Sequence, residues 1–222
     1  FLALLPAPGT LTVDVGCGEG RLPRDLKTIG HQVIGRDVSQ TMIDAAREAD
    51  PGGDYRCASA GELPLADKSC DLVLAFMSLQ DVDDLMTAVA EMGRILVDEG
   101  LACIAVVHPL NSAGRFVDES ATSPFVIRDT YLDEFTYTDE LSRDGLRMAF
   151  HSRHRPLQAY TRALEAAGFV IESVREIGVP AEAVRFERSR RWQRLPLFLH
   201  LRGRRRPLPF STKEDTMSSR DT

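Results

Sequence analysis

No stretch of about 18 or more apolar residues occurs in this chain, so nothing in it reads as a membrane-spanning helix. Cysteine is sparse: Cys17, Cys57, Cys70 and Cys103 are scattered without metal-ligand spacing, and three sit within or beside expected strands. Such a pattern builds no secreted disulfide framework and points to reduced thiols in a cytoplasmic protein. Histidines and carboxylates form no compact ligand set, so no metal is expected. Positive charge is not in excess, and the net charge of −6 argues against general nucleic-acid binding. A starting methionine is absent too. The chain opens at Phe1 with a strand expected from Leu11, so native sequence is expected upstream. What is present is ordinary for a soluble globule, with 43% hydrophobic and 27% charged residues among 222. That length suits one α/β domain, expected over 1–210.

Residues 11–15 read as a short buried strand and 21–29 as the helix after it, ended by Gly30. A second strand follows at 32–36, and Ser39 can cap a helix whose Met42, Ile43 and Ala46 share an apolar face. Strands are expected at 55–58, 71–76 and 101–107, with a helix over 81–96. The segment 71–76, DLVLAF, is nearly unbroken in hydrophobicity, as a strand covered on both faces should be. Strand and helix alternate, which predicts a mostly parallel sheet with helices on both faces. The rhythm changes over 109–155, an insert with scattered aromatics and a possible hairpin around Asp144 and Gly145. A helix over 156–167 and strands at 169–174 and 195–202 close the pattern, and 211–222 has little to bury and is expected to be disordered.

Between the first strand and helix, VDVGCGEGR places Gly16, Gly18 and Gly20 at alternate positions. Glycine weakens regular structure, so three here imply tight turning or close approach by something else. In open parallel sheets a ligand lies beyond the carboxyl ends of the strands, where this loop sits. Asp37, one residue past the second strand and 21 after Gly16, is placed to accept hydrogen bonds from two ribose hydroxyls. A nucleoside-containing cofactor follows. A dinucleotide site favours G-x-G-x-x-G, whereas this loop reads G-C-G-E-G, and Glu19 would repel a pyrophosphate. It is tolerable beside a cofactor carrying a sulfonium and an amino group.

VDVGCGEGR, then VIGRDVSQTMIDAAR, AGELPLADKSCDLVLAFMSLQDVDD and EMGRILVDEGLACIAVVHP, in that order and spacing, resemble the class I S-adenosylmethionine-dependent methyltransferases, in particular those acting on small molecules. The resemblance runs from Leu11 to Val107 with specific motifs, and more weakly through 156–174. It implies a Rossmann-like α/β fold with a mostly parallel seven-stranded sheet, and S-adenosyl-L-methionine as cofactor with S-adenosyl-L-homocysteine as product. It also implies roles. Asp14 would orient the loop and help hold the cofactor amino group, with backbone at Gly16, Cys17 and Gly18 along the methionine portion and Gly20 completing the turn. Asp37 would take the ribose hydroxyls, with Val38 and Met42 against adenine. The family often has an aspartate and a small residue after the third strand; here that place falls on Ser59 and Ala60, so Ser59 would stand in for the carboxylate. Phe76 follows as a cofactor contact. Where many members have histidine this chain has Gln80, whose amide can orient a substrate but is no base at neutral pH.

Methyl transfer needs in-line approach of a nucleophile to an activated carbon, with a base only where the attacking atom holds its proton. His108, directly after the fifth strand, is the expected base, its alternative being to cap the strand or touch the cofactor. Tyr131, Tyr137 and His154 are candidates for the substrate side of the insert, which would cover a small, partly apolar or aromatic acceptor; the same aromatics could equally form the insert's own core. Nine arginines stand in 185–206 against Glu187. They read as a solvated face, with an acidic substrate or RNA as alternatives. The leading function is methylation of an oxygen, nitrogen or carbon of a small molecule. A non-catalytic cofactor-binding protein and an RNA methyltransferase are the rivals, and neither an Asn/Asp-Pro-Pro-aromatic motif nor a catalytic Pro-Cys pair occurs. Nothing in the sequence fixes the oligomeric state.

Overall fold

The computed structural model describes residues 1–127, 130–143 and 146–207, with the backbone alone for 139–143 and 146–151. The expected turn at Asp144 and Gly145 and the expected disordered tail at 211–222 lie outside the described residues. In chain order the elements are β1 (Thr12–Val15), α1 (Arg21–Thr28), β2 (Val33–Asp37), α2 (Gln40–Ala49), β3 (Asp54–Cys57), β4 (Cys70–Phe76), α3 (Leu85–Ile95) and β5 (Leu96–Val107). The insert holds α4 (Pro109–Ala113), β6 (Gly114–Phe116), β7 (Phe125–Ile127) and the hairpin β8 (Phe135–Arg143) with β9 (Leu146–His154). Then come α5 (Leu157–Ala166), β10 (Phe169–Ile177) and β11 (Phe198–Arg205).

Seven strands form one sheet in the order β10-β11-β5-β4-β1-β2-β3. The run from β5 to β3 is parallel, while β11 lies antiparallel between β10 and β5. The expected mostly parallel sheet is therefore present. Alternation along β4 divides the core: Val73 and Ala75 pack with Met92 and Ile95 of α3 and Leu164 of α5, whereas Leu72 and Leu74 pack with Leu26 of α1. Helices cover both faces, so β4 is buried on both and reads as an apolar run. Among the described residues no helix is long and apolar enough to cross a membrane.

Several boundaries differ from the sequence expectation, with β5 starting already at Leu96 and β10 running on to Ile177. The helix expected over 81–96 begins at Leu85, because Asp84 is its cap, with Oδ1 accepting from the Thr87 amide at 3.0 Å. Residues 77–84 are thereby left as a loop at the carboxyl end of β4. The last strand lies later than 195–202, running on to Arg205 through pairing with Phe169 and, one residue earlier, with Leu101.

The arginine-rich segment is largely spent on ties to the sheet and insert. Arg202 and Arg204 pair with Glu172, Arg206 with Glu99, and Arg205 donates to the Gly93 carbonyl. Arg191 and Arg194 donate to the Asp118 and Ser123 carbonyls and so hold the loop between β6 and β7.

Tyr55 of β3 fills a socket made by glycines. A Cβ on Gly20, Gly35 or Gly53 would lie 2.9, 2.6 or 2.2 Å from its ring. At Gly35 the same Cβ would also meet the Cys17 Sγ at 2.7 Å. Gly35→Ala is thus expected to cost about 1–3 kcal/mol by overpacking. Thermal unfolding followed by circular dichroism should show a Tm several degrees lower, and an unchanged Tm would mean that the ring and the sulfur yield freely.

Candidate functional site

The loop after β1 is folded back onto β2 by its own amides. Gly16 and Cys17 N–H both donate to the Arg36 carbonyl, at 2.7 and 3.1 Å, and Gly20 N–H donates to the Cys17 carbonyl at 3.0 Å. Gly16, Gly18 and Gly20 all have positive φ, and each faces something different. A Cβ at Gly16 would run into Ser78, 2.2 Å from its Cβ, and Ser78 is fixed by its Oγ donating to the Val15 carbonyl at 2.6 Å. Gly20 closes on Tyr55. Gly18 has nothing within 4 Å and opens on free space.

Asp37, at the end of β2, accepts from Gly18 N–H through Oδ2 at 2.8 Å and from Ser39 N–H through Oδ1 at 2.9 Å. Each oxygen keeps a lone pair for a further donor. Beside it lies a cavity of about 700 Å³ whose wall includes Gly16, Gly18, Asp37, Ser59 and Ala60. Val38 and Met42, both exposed, stand at this cavity as bare apolar surface. Its wall also takes in Met77, Ser78 and 81–84, from the loop that the late start of α3 leaves free.

On the other side of Gly16 a smaller cavity of about 350 Å³ is lined by Asp14, Cys17, Arg21 and Phe76, with Phe1 and Leu2 over it. Asp14 is buried, and its Oδ1 has no hydrogen-bond partner among the described residues. Burial first, and the charge of Asp37 second, push its carboxyl up to about 7. Burial, with Asp14 and Asp37 nearby, also drives the Cys17 thiol far above its ordinary value, so its sulfur is inert packing. A third pocket of about 420 Å³ lies between 80–83 and the hairpin, walled by Gln80, Asp81, Thr136, Tyr137, Ser152 and Arg153. It shares Asp81, Val82 and Asp83 with the large cavity.

Of the residues singled out in the sequence, the cofactor group apart from Gly20 comes together around these cavities, and Gln80 and Tyr137 line the third. His108, Tyr131 and His154 do not line any of the three. His108 caps α4: Nδ1 accepts from the Leu110 amide at 3.0 Å, which leaves the proton on Nε2, donated to Glu176 at 3.0 Å. Burial holds its pKa below the usual histidine value, against the opposing pull of Glu176. His154 is fully buried, donates from Nε2 to the Tyr131 carbonyl at 2.9 Å, meets Ser112 Oγ at 2.7 Å and stacks on Phe135. The Tyr131 hydroxyl accepts from the Leu157 amide at 3.1 Å. These side chains hold the insert together and fasten it to α5 and β10. Glu19 turns outward to Arg24 at 2.6 Å. Sequence reasoning passed over Asp81 because the expected helix began there; its place one residue after Gln80 was the available signal.

Residues 13–104 match the protein-family model for a methyltransferase domain. The chain is 30% identical over 110 residues to the ubiquinone biosynthesis O-methyltransferase of Mesorhizobium japonicum, taking in 48% of this chain and 44% of that protein. It is 35% identical over 108 residues to the malonyl-[acyl-carrier protein] O-methyltransferase of Pectobacterium atrosepticum, 48% of this chain and 43% of that one. The chain thus spans less than half the length of these curated relatives. The crystal structure of an S-adenosylmethionine-dependent methyltransferase from Mesorhizobium loti matches with a TM-score of 0.76 and 28% identity, over 92% of this chain and 95% of that one.

The cofactor implied is S-adenosylmethionine, and the residues present fit it. An unpartnered buried carboxylate oxygen at Asp14 suits an ammonium group, the free lone pairs of Asp37 suit ribose hydroxyls, and the open face of Gly18 leaves room for the chain between them. The glycine loop, the strand order and these likenesses go together: residues 13–104 match a methyltransferase domain, and the chain is similar to the class I S-adenosylmethionine-dependent methyltransferases.

Proposed function

We propose that this protein moves a methyl group from S-adenosylmethionine to a small molecule by in-line displacement, releasing S-adenosylhomocysteine. The observation that carries this reading is the continuity of the large cavity. It runs from Gly16, Gly18 and Asp37 to 81–83, and there it shares a wall with the pocket under the hairpin. A cradle that ended at the cofactor would suit a binding protein; one that borders a second pocket suits an enzyme. The bound cofactor supplies an activated methyl carbon on a sulfonium. The chain's part is to align the acceptor and keep water out.

In this reading Asp37 holds the ribose, Val38 and Met42 pack on adenine, and Ser59 and Ala60 meet its edge. Backbone at Gly16, Cys17 and Gly18 follows the methionine portion toward Asp14 and Phe76. The residues 1–210 act as one unit, with 109–155 as acceptor cover and Gln80 and Tyr137 lining the acceptor pocket. Tyr131 and His154 support that cover from behind. His108 is not the base, because its one unprotonated nitrogen already accepts the Leu110 amide. The pocket under the hairpin is walled by Thr136, Thr138 and Ser152 as well as Tyr137, so the acceptor is more polar than the insert's aromatics suggest. Both curated relatives cited are O-methyltransferases, which favours oxygen as the acceptor atom. Four free thiols support a reducing, cytoplasmic setting.

Two measurements test the cradle. Asp37→Ala removes hydrogen bonds to a charged acceptor, each worth about 1.5–3 kcal/mol, so calorimetry should find S-adenosylhomocysteine bound at least about tenfold more weakly. Retained affinity would sink the ribose assignment. Asp14 gives a pH signature. Its carboxyl sits near about 7 without ligand, and an ammonium group favours its ionised form, so binding should release a proton below that pH. Affinity should fall by up to about tenfold per unit as pH drops from 7. Calorimetry in buffers of different ionisation enthalpy should detect the released proton in the wild type and not in Asp14→Asn.

A further inference from the structure

We infer that Asp81 accepts the proton of the acceptor, and that the acceptor presents a hydroxyl group rather than a carboxylate. The inference rests on the methyl-transfer reading above and concerns the same cleft. Asp81 lines both the large cavity and the pocket under the hairpin. Its carboxylate is aimed by two donors: Ser152 Oγ to Oδ1 at 2.7 Å and Gln80 Nε2 to Oδ2 at 3.2 Å. Both oxygens keep a lone pair for an incoming O–H.

The segment that carries Asp81 is held from behind. Arg155, buried and paired with Glu134 at 3.3 Å, donates to the carbonyls of Leu79, Val82 and Asp83 at 3.1, 2.6 and 3.1 Å. The Arg153 amide donates to the Gln80 carbonyl at 2.9 Å. A base must hold its distance to the acceptor, and this backing does so. Burial also raises the Asp81 carboxyl above its ordinary value, with Ser152, Gln80 and Arg155 pulling the other way. A carboxyl raised in this way is a better proton acceptor than one at its ordinary value.

The surrounding charge selects the acceptor. Glu62, Asp83 and Asp84 line the large cavity together with Asp37 and Asp81. Facing Asp81 across the smaller pocket are Tyr137 and Arg153, and the Arg153 charge is met by Asp83 at 3.5 Å. A carboxylate acceptor would enter a wall of like charge, whereas a neutral hydroxyl meets acceptors for its proton. In the step, a lone pair of the hydroxyl oxygen forms the new carbon–oxygen bond as the carbon–sulfur bond breaks toward sulfur. The hydroxyl proton passes to Asp81, so the sulfonium charge and the carboxylate charge disappear together.

The test uses the full chain with 4-nitrocatechol as hydroxyl probe, offered on the acid side of its first ionisation so that it enters neutral, and 4-nitrobenzoate as carboxylate probe. S-Adenosylhomocysteine binding is measured first, and its absence in the wild type would overturn the methyl-transfer reading itself. With that ligand bound, the wild type should perturb the visible spectrum of 4-nitrocatechol, and Asp81→Asn should bind the probe at least about tenfold more weakly while keeping its S-adenosylhomocysteine affinity. With S-adenosylmethionine, transfer to 4-nitrocatechol should fall about 100-fold or more in Asp81→Asn. Ser152→Ala removes a donor that favours the ionised carboxylate, so its rising pH limb should move to higher pH. An unchanged rate and affinity in Asp81→Asn, an unmoved limb in Ser152→Ala, a loaded wild type that ignores 4-nitrocatechol, or preference for 4-nitrobenzoate would each overturn the proposal. Should Asp81→Asn fail to fold, the Ser152→Ala profile and the choice between the two probes decide.

Discussion

The cradle depends on one carboxylate. Asp37 joins the end of β2 to Gly18 of the glycine loop and to Ser39 at the start of α2, through two backbone amides. Those contacts fix the loop beside an open cavity although its glycines would allow many other shapes. The same charge has a cost 23 residues upstream in sequence, at Asp14, whose buried carboxylate it disfavours. Two acids held close under a loop with one oxygen unpartnered are poorly arranged for an empty protein and well arranged for a cation. The strain is electrostatic, and a ligand bearing positive charge relieves it.

The opposite wall is built on another principle. Residues 77–84 have no regular structure of their own, and their shape is borrowed from the end of the insert. Arg155 gathers their carbonyls, Arg153 and Ser152 bond to them from β9, and His154 locks the end of β9 against Tyr131 and Phe135. The cofactor half is therefore organised by short-range backbone turns, and the acceptor half by side chains reaching across from a distant part of the chain. A change in the hairpin can alter the acceptor wall without touching the cradle.

That division explains what could be read from sequence. VDVGCGEGR and Asp37 were legible because the strand, the turn and the next strand are local, and a positive φ or a close approach leaves a glycine as its mark. The start of α3 was not. Asp81, Val82, Asp83 and Asp84 all suit a first helical turn, and only the bond from the Thr87 amide shows that Asp84 is the cap. His108 was placed at the right edge of the sheet but with the wrong freedom, since a histidine after a strand looks the same whether its lone pair faces a ligand or a helix amide. The arginines from 185 to 206 lie at the surface as expected, but their partners, among them Gly93, Glu99, Asp118 and Glu172, lie far away in sequence and could not be read from it.

The antiparallel course of β11 has a practical consequence. Its first residue, Phe198, pairs with Val107 at the ligand edge of the sheet, and Arg204 pairs with Leu101 near the opposite edge. Phe1, by contrast, lies on Phe76 beside the Asp14 cavity. A small label carried on Arg206 would stand away from the cleft. The same label carried on Phe1 would sit at its mouth, so the two positions are unequal places to handle the molecule.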